Sequence, residues 1–152
     1  RWAALAILGD DGPEASWVTF VPEPDFAGFL IHVSRLAPHT RHLLARPRAS
    51  LAISEREQEG RDPFLAARVS IHAEAEVIAR ESADYPAAAG RYIGRLPESE
   101  PLFGFGDFVL FRLRPARARF VAGFGRIFTL DAAGLRRAAV SGPAADSPRS
   151  TS

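Results

Sequence analysis

Two hydroxyls, one imidazole and two guanidiniums fall within eight residues: Ser34, Arg35, His39, Thr40 and Arg41. They stand where an apolar run gives way to a helical pattern. Pro38 suits the first turn of a helix, where a missing N–H leaves no bond unmade. Free backbone N–H groups and the helix dipole favour an anion at such a joint. The stretch therefore predicts a phosphate cradle without a glycine-rich loop. Ordinary capping with surface arginines is the alternative reading of the same residues.

Other chemistry is less supported. His39 and His42 are three apart and share a helix face, and His32 or His72 would have to complete a metal site. Nothing in the spacing fixes that meeting, so no metal is expected and the histidines read as polar groups on a solvent or interface face. Gly104-Phe105-Gly106 and Gly123-Phe124-Gly125 do not complete G-x-G-x-x-G, nor do they lie between a strand and a helix. They read as tight turns or close backbone packing. No Walker sequence and no G-x-S-x-G elbow occurs. The absence of Cys removes thiolate catalysis, disulfides and Cys-type zinc sites.

The elements that position these groups are legible from periodicity. Ala3–Leu8 and Ala15–Val21 flank Gly9-Asp10-Asp11-Gly12-Pro13 and predict a hairpin. Phe29–Val33 adds a third strand, which suggests an antiparallel meander. Leu36, Thr40, Leu43 and Leu44 recur at helical spacing up to Arg46-Pro47, and Ala49–Ser54 returns to strand. Glu55–Pro63 is a charged loop expected to be mobile. Arg68–Ile78 alternates cleanly, with Val69, Ile71, Ala73, Ala75 and Val77 on one face. Ser82 offers an N-cap to a helix whose apolar face is Tyr85, Ala88, Ala89, Tyr92, Ile93 and Leu96. Asp107–Arg114 and Arg117–Ala122 read as two strands around Pro115. The first is apolar on both faces, so it needs two covers, one of them expected from a partner chain. Arg126–Leu130 is a last strand and Asp131–Ala139 a short helix. From Ser141 the Ser, Pro and Ala composition predicts a disordered tail or linker. Residues 1–140 form one domain and 141–152 the tail. Some eight strands with two or three peripheral helices predict a mainly β, antiparallel barrel of α+β type.

The 152 residues suit a single domain. Nineteen cations, all Arg, against eighteen acids leave +1, which argues against strong nucleic-acid binding. No apolar run approaches a membrane span, which suits a cytoplasmic protein without a membrane partner. The chain opens at Arg1 and contains no Met, so the natural start is expected upstream.

The sequence resembles the FMN-binding split-barrel proteins related to pyridoxamine 5′-phosphate oxidase, and more closely their haem-utilisation HugZ-type branch. The matching stretches are Gly12-Pro13-Glu14-Ala15-Ser16, the run His32 to Arg41, and Arg46-Pro47-Arg48-Ala49-Ser50-Leu51. Further on come Ala67-Arg68-Val69-Ser70-Ile71, Gly106-Asp107-Phe108 and Gly123-Phe124-Gly125-Arg126. The resemblance implies a six-stranded split β-barrel that dimerises, with one FMN in each of two clefts between subunits. By position, Ser34, His39, Thr40 and Arg41 would surround the phosphate, Ser16 and Trp17 would border the flavin ring, and Arg68 is a further candidate. The flavin would carry the redox chemistry, so no catalytic side chain is assigned.

The departures shape the functional expectation. The C-terminal Trp and Arg-rich substrate motif of the vitamin oxidases is absent, which argues against pyridoxamine phosphate as substrate. His39 stands where many oxidases carry Lys, which implies pH-dependent phosphate affinity. Haem-binding relatives use a His in their C-terminal part, and here no His follows His72. The leading expectation is an FMN-binding homodimer acting as an oxidoreductase or flavin reductase on a small redox substrate. A haem-binding or haem-degrading protein is the alternative. A non-enzymatic dimer holding another nucleotide-like ligand, such as a deazaflavin, is the third.

Overall fold

The computed structural model describes residues 2–123 and 125–141. The expected tail beyond Ser141, and Phe124, lie outside the described residues. Eight strands form one antiparallel sheet: β1 (Trp2–Leu8), β2 (Pro13–Thr19), β3 (Val21–Pro22), β4 (Phe29–Ser34), β5 (Arg48–Ser54), β6 (Arg68–Val77), β7 (Phe108–Val121) and β8 (Ile127–Asp131). The α-helices among the described residues are α1 (Pro38–Ala45), α2 (Tyr85–Arg95) and α3 (Ala132–Ser141). The strand order is β2-β1-β5-β6-β7-β4-β3, with β8 also paired to β7.

That order forces the sheet to curl. β2 and β3 lie at opposite ends of the hydrogen-bonded path, yet only Phe20 separates Thr19 from Val21. One residue spans a few ångströms, so the two ends of the path must meet in space. The result is the expected split barrel, closed by the chain rather than by a continuous ladder. The hairpin β1–β2 forms as read. The meander does not, because β4 pairs with β3 and β7 and not with β2.

Inside the barrel Leu5, Ile31, Leu51, Ile71, Phe111 and Leu113 pack with Leu43 of α1. Each such side chain contributes roughly 1.5–3 kcal/mol by leaving water. The alternation of β6 is as read from Val69 to Ala75, but Val77 is 42% exposed and the neighbouring Ile78 is buried instead. The two strands expected around Pro115 are one continuous β7. A register shift opposite His72/Ala73 absorbs the proline, which has no N–H for the ladder.

The outward side of β7 is also apolar at Leu110. Its cover is α2 of the same chain, through Ala88, Ala89, Tyr92 and Leu96, and not the expected partner chain. The α2 face is the one read from periodicity. Ser82 does not cap it; its hydroxyl donates to the Ala79 carbonyl, and α2 begins after Asp84. Asp84 instead accepts from Arg112, whose guanidinium also donates to both carboxylate oxygens of Glu23 at 2.6 and 2.7 Å. These two acids raise the Arg112 pKa, Glu23 first. A Cβ at Gly28 would overlap Glu23 Oε2, so a larger residue there would have to displace that carboxylate. Gly123 and Gly125 take positive φ, as a turn needs, whereas Gly104 and Gly106 have open space around them and no close packing.

Candidate functional site

The expected phosphate residues each make a different contact. Ser34 closes the strand-to-helix joint: its hydroxyl donates to Asp107 at 2.6 Å and accepts from the Leu36 N–H at 3.1 Å. Thr40 is fully buried, and its hydroxyl has no partner among the described residues. Arg41 is exposed and donates to the Leu36 carbonyl. His39 turns towards β2, where its Nδ1 lies 3.1 Å from Ser16 Oγ. Burial lowers the His39 pKa, partly opposed by Glu14.

Ser16 and Trp17 cannot border one ring from the same side. They are adjacent on β2, and adjacent strand residues face opposite ways. Ser16 faces α1, while Trp17 stands on the outer face and is 71% exposed. Arg68, by contrast, joins Trp17 in the same cleft of about 830 Å³.

The histidines do not converge either. His42 lies 3.4 Å from Asp10 and 3.3 Å from Glu14, with Arg46 completing the cluster through Asp10. Arg46 holds the Asp10 carboxyl below its usual range. His32 is 6% exposed and stacked on Phe103 at 3.8 Å, with Tyr92 and Phe108 around it. Burial, then the charge of Arg80, pushes its pKa down to about 4. Among the described residues no three His, Asp or Glu are arranged to hold a metal ion by themselves.

The outer face of the sheet carries a different arrangement. One transverse row runs Trp17, Ala4, Ala52, Ser70, Arg119 across β2, β1, β5, β6 and β7. The next row runs Ala15, Ala6, Ser50, His72, Arg117 over the same strands. The floor is Ala and Ser, so a flat group can lie close to the backbone. At one side Trp17 and Trp2 stand out, the latter 60% exposed. At the other stand Arg68 and Arg119, with Arg56 at the rim. Arg56, Arg117 and Arg119 have no carboxylate partner among the described residues. Measured along the sheet, four strand spacings of about 4.8 Å separate Trp17 from Arg119 by roughly 19 Å, and two separate Trp2 from Arg68 by roughly 10 Å. The trough continues into a second cleft of about 470 Å³ bordered by Ala6, Ser50, His72 and Arg48.

Such a trough suits a planar aromatic ligand with anionic groups at one edge. Indoles supply apolar contact area, and guanidiniums pair with carboxylate or phosphate. Of the expected residues, only Trp17 and Arg68 belong to it. Ala4, Ala52 and Arg119 belong to no motif of the sequence, and Ser70 enters only within the stretch Ala67–Ile71. The available signal was the run of Ala and Ser at the outward positions of β1, β5 and β6.

The sequence profile described as pyridoxamine 5'-phosphate oxidase matches residues 1–122. Heme oxygenase HutZ of Vibrio cholerae is 31% identical over 128 residues, covering 82% of this chain and 70% of HutZ. The chloroplastic non-canonical heme oxygenase HOZ of Arabidopsis thaliana is 34% identical over 116 residues, 76% of this chain. A heme binding protein from Mycobacterium smegmatis superposes with a TM-score of 0.80 at 30% identity over 90% of this chain. The chain spans 34% of the length of HOZ and 55% of the mycobacterial structure. Profile, identity and fold agree: the chain belongs to the pyridoxamine 5'-phosphate oxidase split-barrel family, on the branch that holds HutZ.

Proposed function

We propose that this chain binds haem in the outer trough and belongs to a haem-handling protein of the haem oxygenase type, working as a homodimer. The observation that carries the reading is the row from Trp17 to Arg119 over a floor of Ala4, Ala52 and Ser70. A porphyrin plane is flat and apolar, and its two propionates need cations at one edge. The relatives named for haem favour this reading over the FMN-dependent oxidoreductase.

Bound haem supplies one-electron and dioxygen chemistry through its iron. The chain's own part is to seat the ring. Trp2 and Trp17 cover one flank, and Arg68, Arg119 and Arg56 take the propionate charge. The small floor residues admit the plane. A second copy supports the same role: Trp2, Trp17 and Ile127 form an exposed apolar rim on this face, which a partner would cover while excluding water from the ligand.

The test is a titration of the purified protein with haemin and, separately, with FMN. A saturable Soret change with haemin at one equivalent per chain supports the reading. FMN binding with none for haemin returns the protein to flavin chemistry. Light scattering of the haemin-loaded protein at twice the chain mass supports the dimer, and a monomer overturns it.

A further inference from the structure

We propose that the inner side of the barrel binds an uncharged, hydrocarbon-like small molecule in an apolar cavity of about 440 Å³, apart from the trough. On the inner face of the sheet Ile53, Val69 and Phe120 form one row of its wall across β5, β6 and β7. Their chain neighbours Ala52, Ser70 and Arg119 face the trough on the other side. The inference therefore does not rest on the haem reading. α3 contributes the buried Leu135, and Pro22 and Ala138 reach the surface at the rim.

The chemistry of the wall selects the occupant. Every lining residue among the described ones is apolar, and four are phenylalanines: Phe20, Phe26, Phe29 and Phe120. A buried water needs about two to four polar partners, and these side chains offer none. A peptide segment would leave its N–H and C=O groups unpaired there, and a carboxylate or phosphate would meet no cation. An empty space would forfeit dispersion contacts along its whole wall, against the close packing of protein interiors. A hydrocarbon incurs none of these costs. An engineered apolar cavity of about 150 Å³ takes benzene, so this one has room for two fused rings or a chain of similar bulk.

The wall is also held under strain. Asp25 and Phe26 take φ of 55° and 49°, a region that residues other than Gly avoid. The turn so formed stacks the Phe26 ring on Phe29, with centroids 5.9 Å apart and planes 13° from parallel. Strain of this kind persists where the surroundings hold it, and ligand clamps are among such places.

The experiment titrates the whole protein with naphthalene, an uncharged probe without polar atoms, and follows the methyl signals by NMR. Saturable ring-current shifts at Ile53, Val69 and Leu130 are expected, complete at one equivalent per chain. The melting temperature is expected to rise, because a ligand of the native state stabilises it. Ala138→Phe on α3 and Ile53→Phe on β5 fill the space from two elements. Each is expected to weaken binding at least about tenfold, with circular dichroism to verify the fold. No saturable shift in the parent, or shifts confined to Ala4 and Ala52 of the trough, would overturn the proposal. Unchanged affinity in either filled variant that remains folded would overturn it as well.

Discussion

Trp17 and Arg119 lie on one transverse row of the sheet, with Ala4, Ala52 and Ser70 between them and Thr129 of β8 beyond Arg119. They are far apart in sequence and share no element. The order β2-β1-β5-β6-β7 places an indole and a guanidinium without a carboxylate partner among the described residues in one trough.

Bulk on the floor should exclude the ligand without harming the fold. Ala52 is exposed and outward-facing, so Ala52→Leu is expected to leave the melting temperature nearly unchanged. Haemin affinity should fall on the order of tenfold, in line with the 1–3 kcal/mol typical of overpacking. Parallel thermal melts and haemin titrations check both halves.

Removing a wall cation should weaken binding through charge. Arg119→Gln is expected to raise the haemin dissociation constant about tenfold or more, since hydrogen bonds to charged groups contribute roughly 1.5–3 kcal/mol. The parent's affinity should drop with added salt more steeply than the variant's. Titrations at two ionic strengths test this, and equal slopes would remove Arg119 from the site.

The Arg112 network holds β7, the turn before β4 and the start of α2 together. Arg112→Ala leaves the buried Glu23 carboxylate without its cation. A loss of about 3–5 kcal/mol of stability is expected, as for other broken buried pairs. Gly28→Ala should act on the same network by displacing Glu23. Urea denaturation of both variants measures this.

Stability should depend on pH through His32. Its folded pKa of about 4 lies below the 6.5 of an unfolded imidazole, so the unfolded state binds more protons between these values. The contribution is full above pH 6.5 and is lost as pH falls towards 4, by about 3 kcal/mol in order of magnitude. His32→Phe, which keeps the stack on Phe103, is expected to flatten that slope. Denaturation midpoints from pH 4 to 7 give the comparison.

Local patterns in the sequence specified much of the fold. The alternation from Val69 to Ala75 marks the inner face of β6, and the spacing of Ala88, Ala89, Tyr92 and Leu96 marks the buried face of α2. What periodicity does not encode is which strands become neighbours. The two-sided apolarity of β7 was therefore legible, while its cover by α2 was not. Pro115 read as a break because a bulge that tolerates it depends on the opposite strand. The site was less legible for the same reason. The joint at Ser34–Arg41 is compact in sequence and so legible, whereas the bond of Ser34 to Asp107 and the burial of Thr40 depend on the fold. The row through the trough is built from residues 4, 17, 52, 70 and 119, one from each of five strands. No linear motif marks such a row.

The central claim is that the outer trough takes haem. The most direct measurement is the haemin titration of the parent protein beside a Trp17→Ala, Arg119→Gln double variant that retains its melting temperature. The expected result is a saturable Soret band at one haem per chain in the parent, weakened at least about tenfold in the double variant. Equal haemin affinity in the two proteins, or no saturable band in the parent, would contradict the claim.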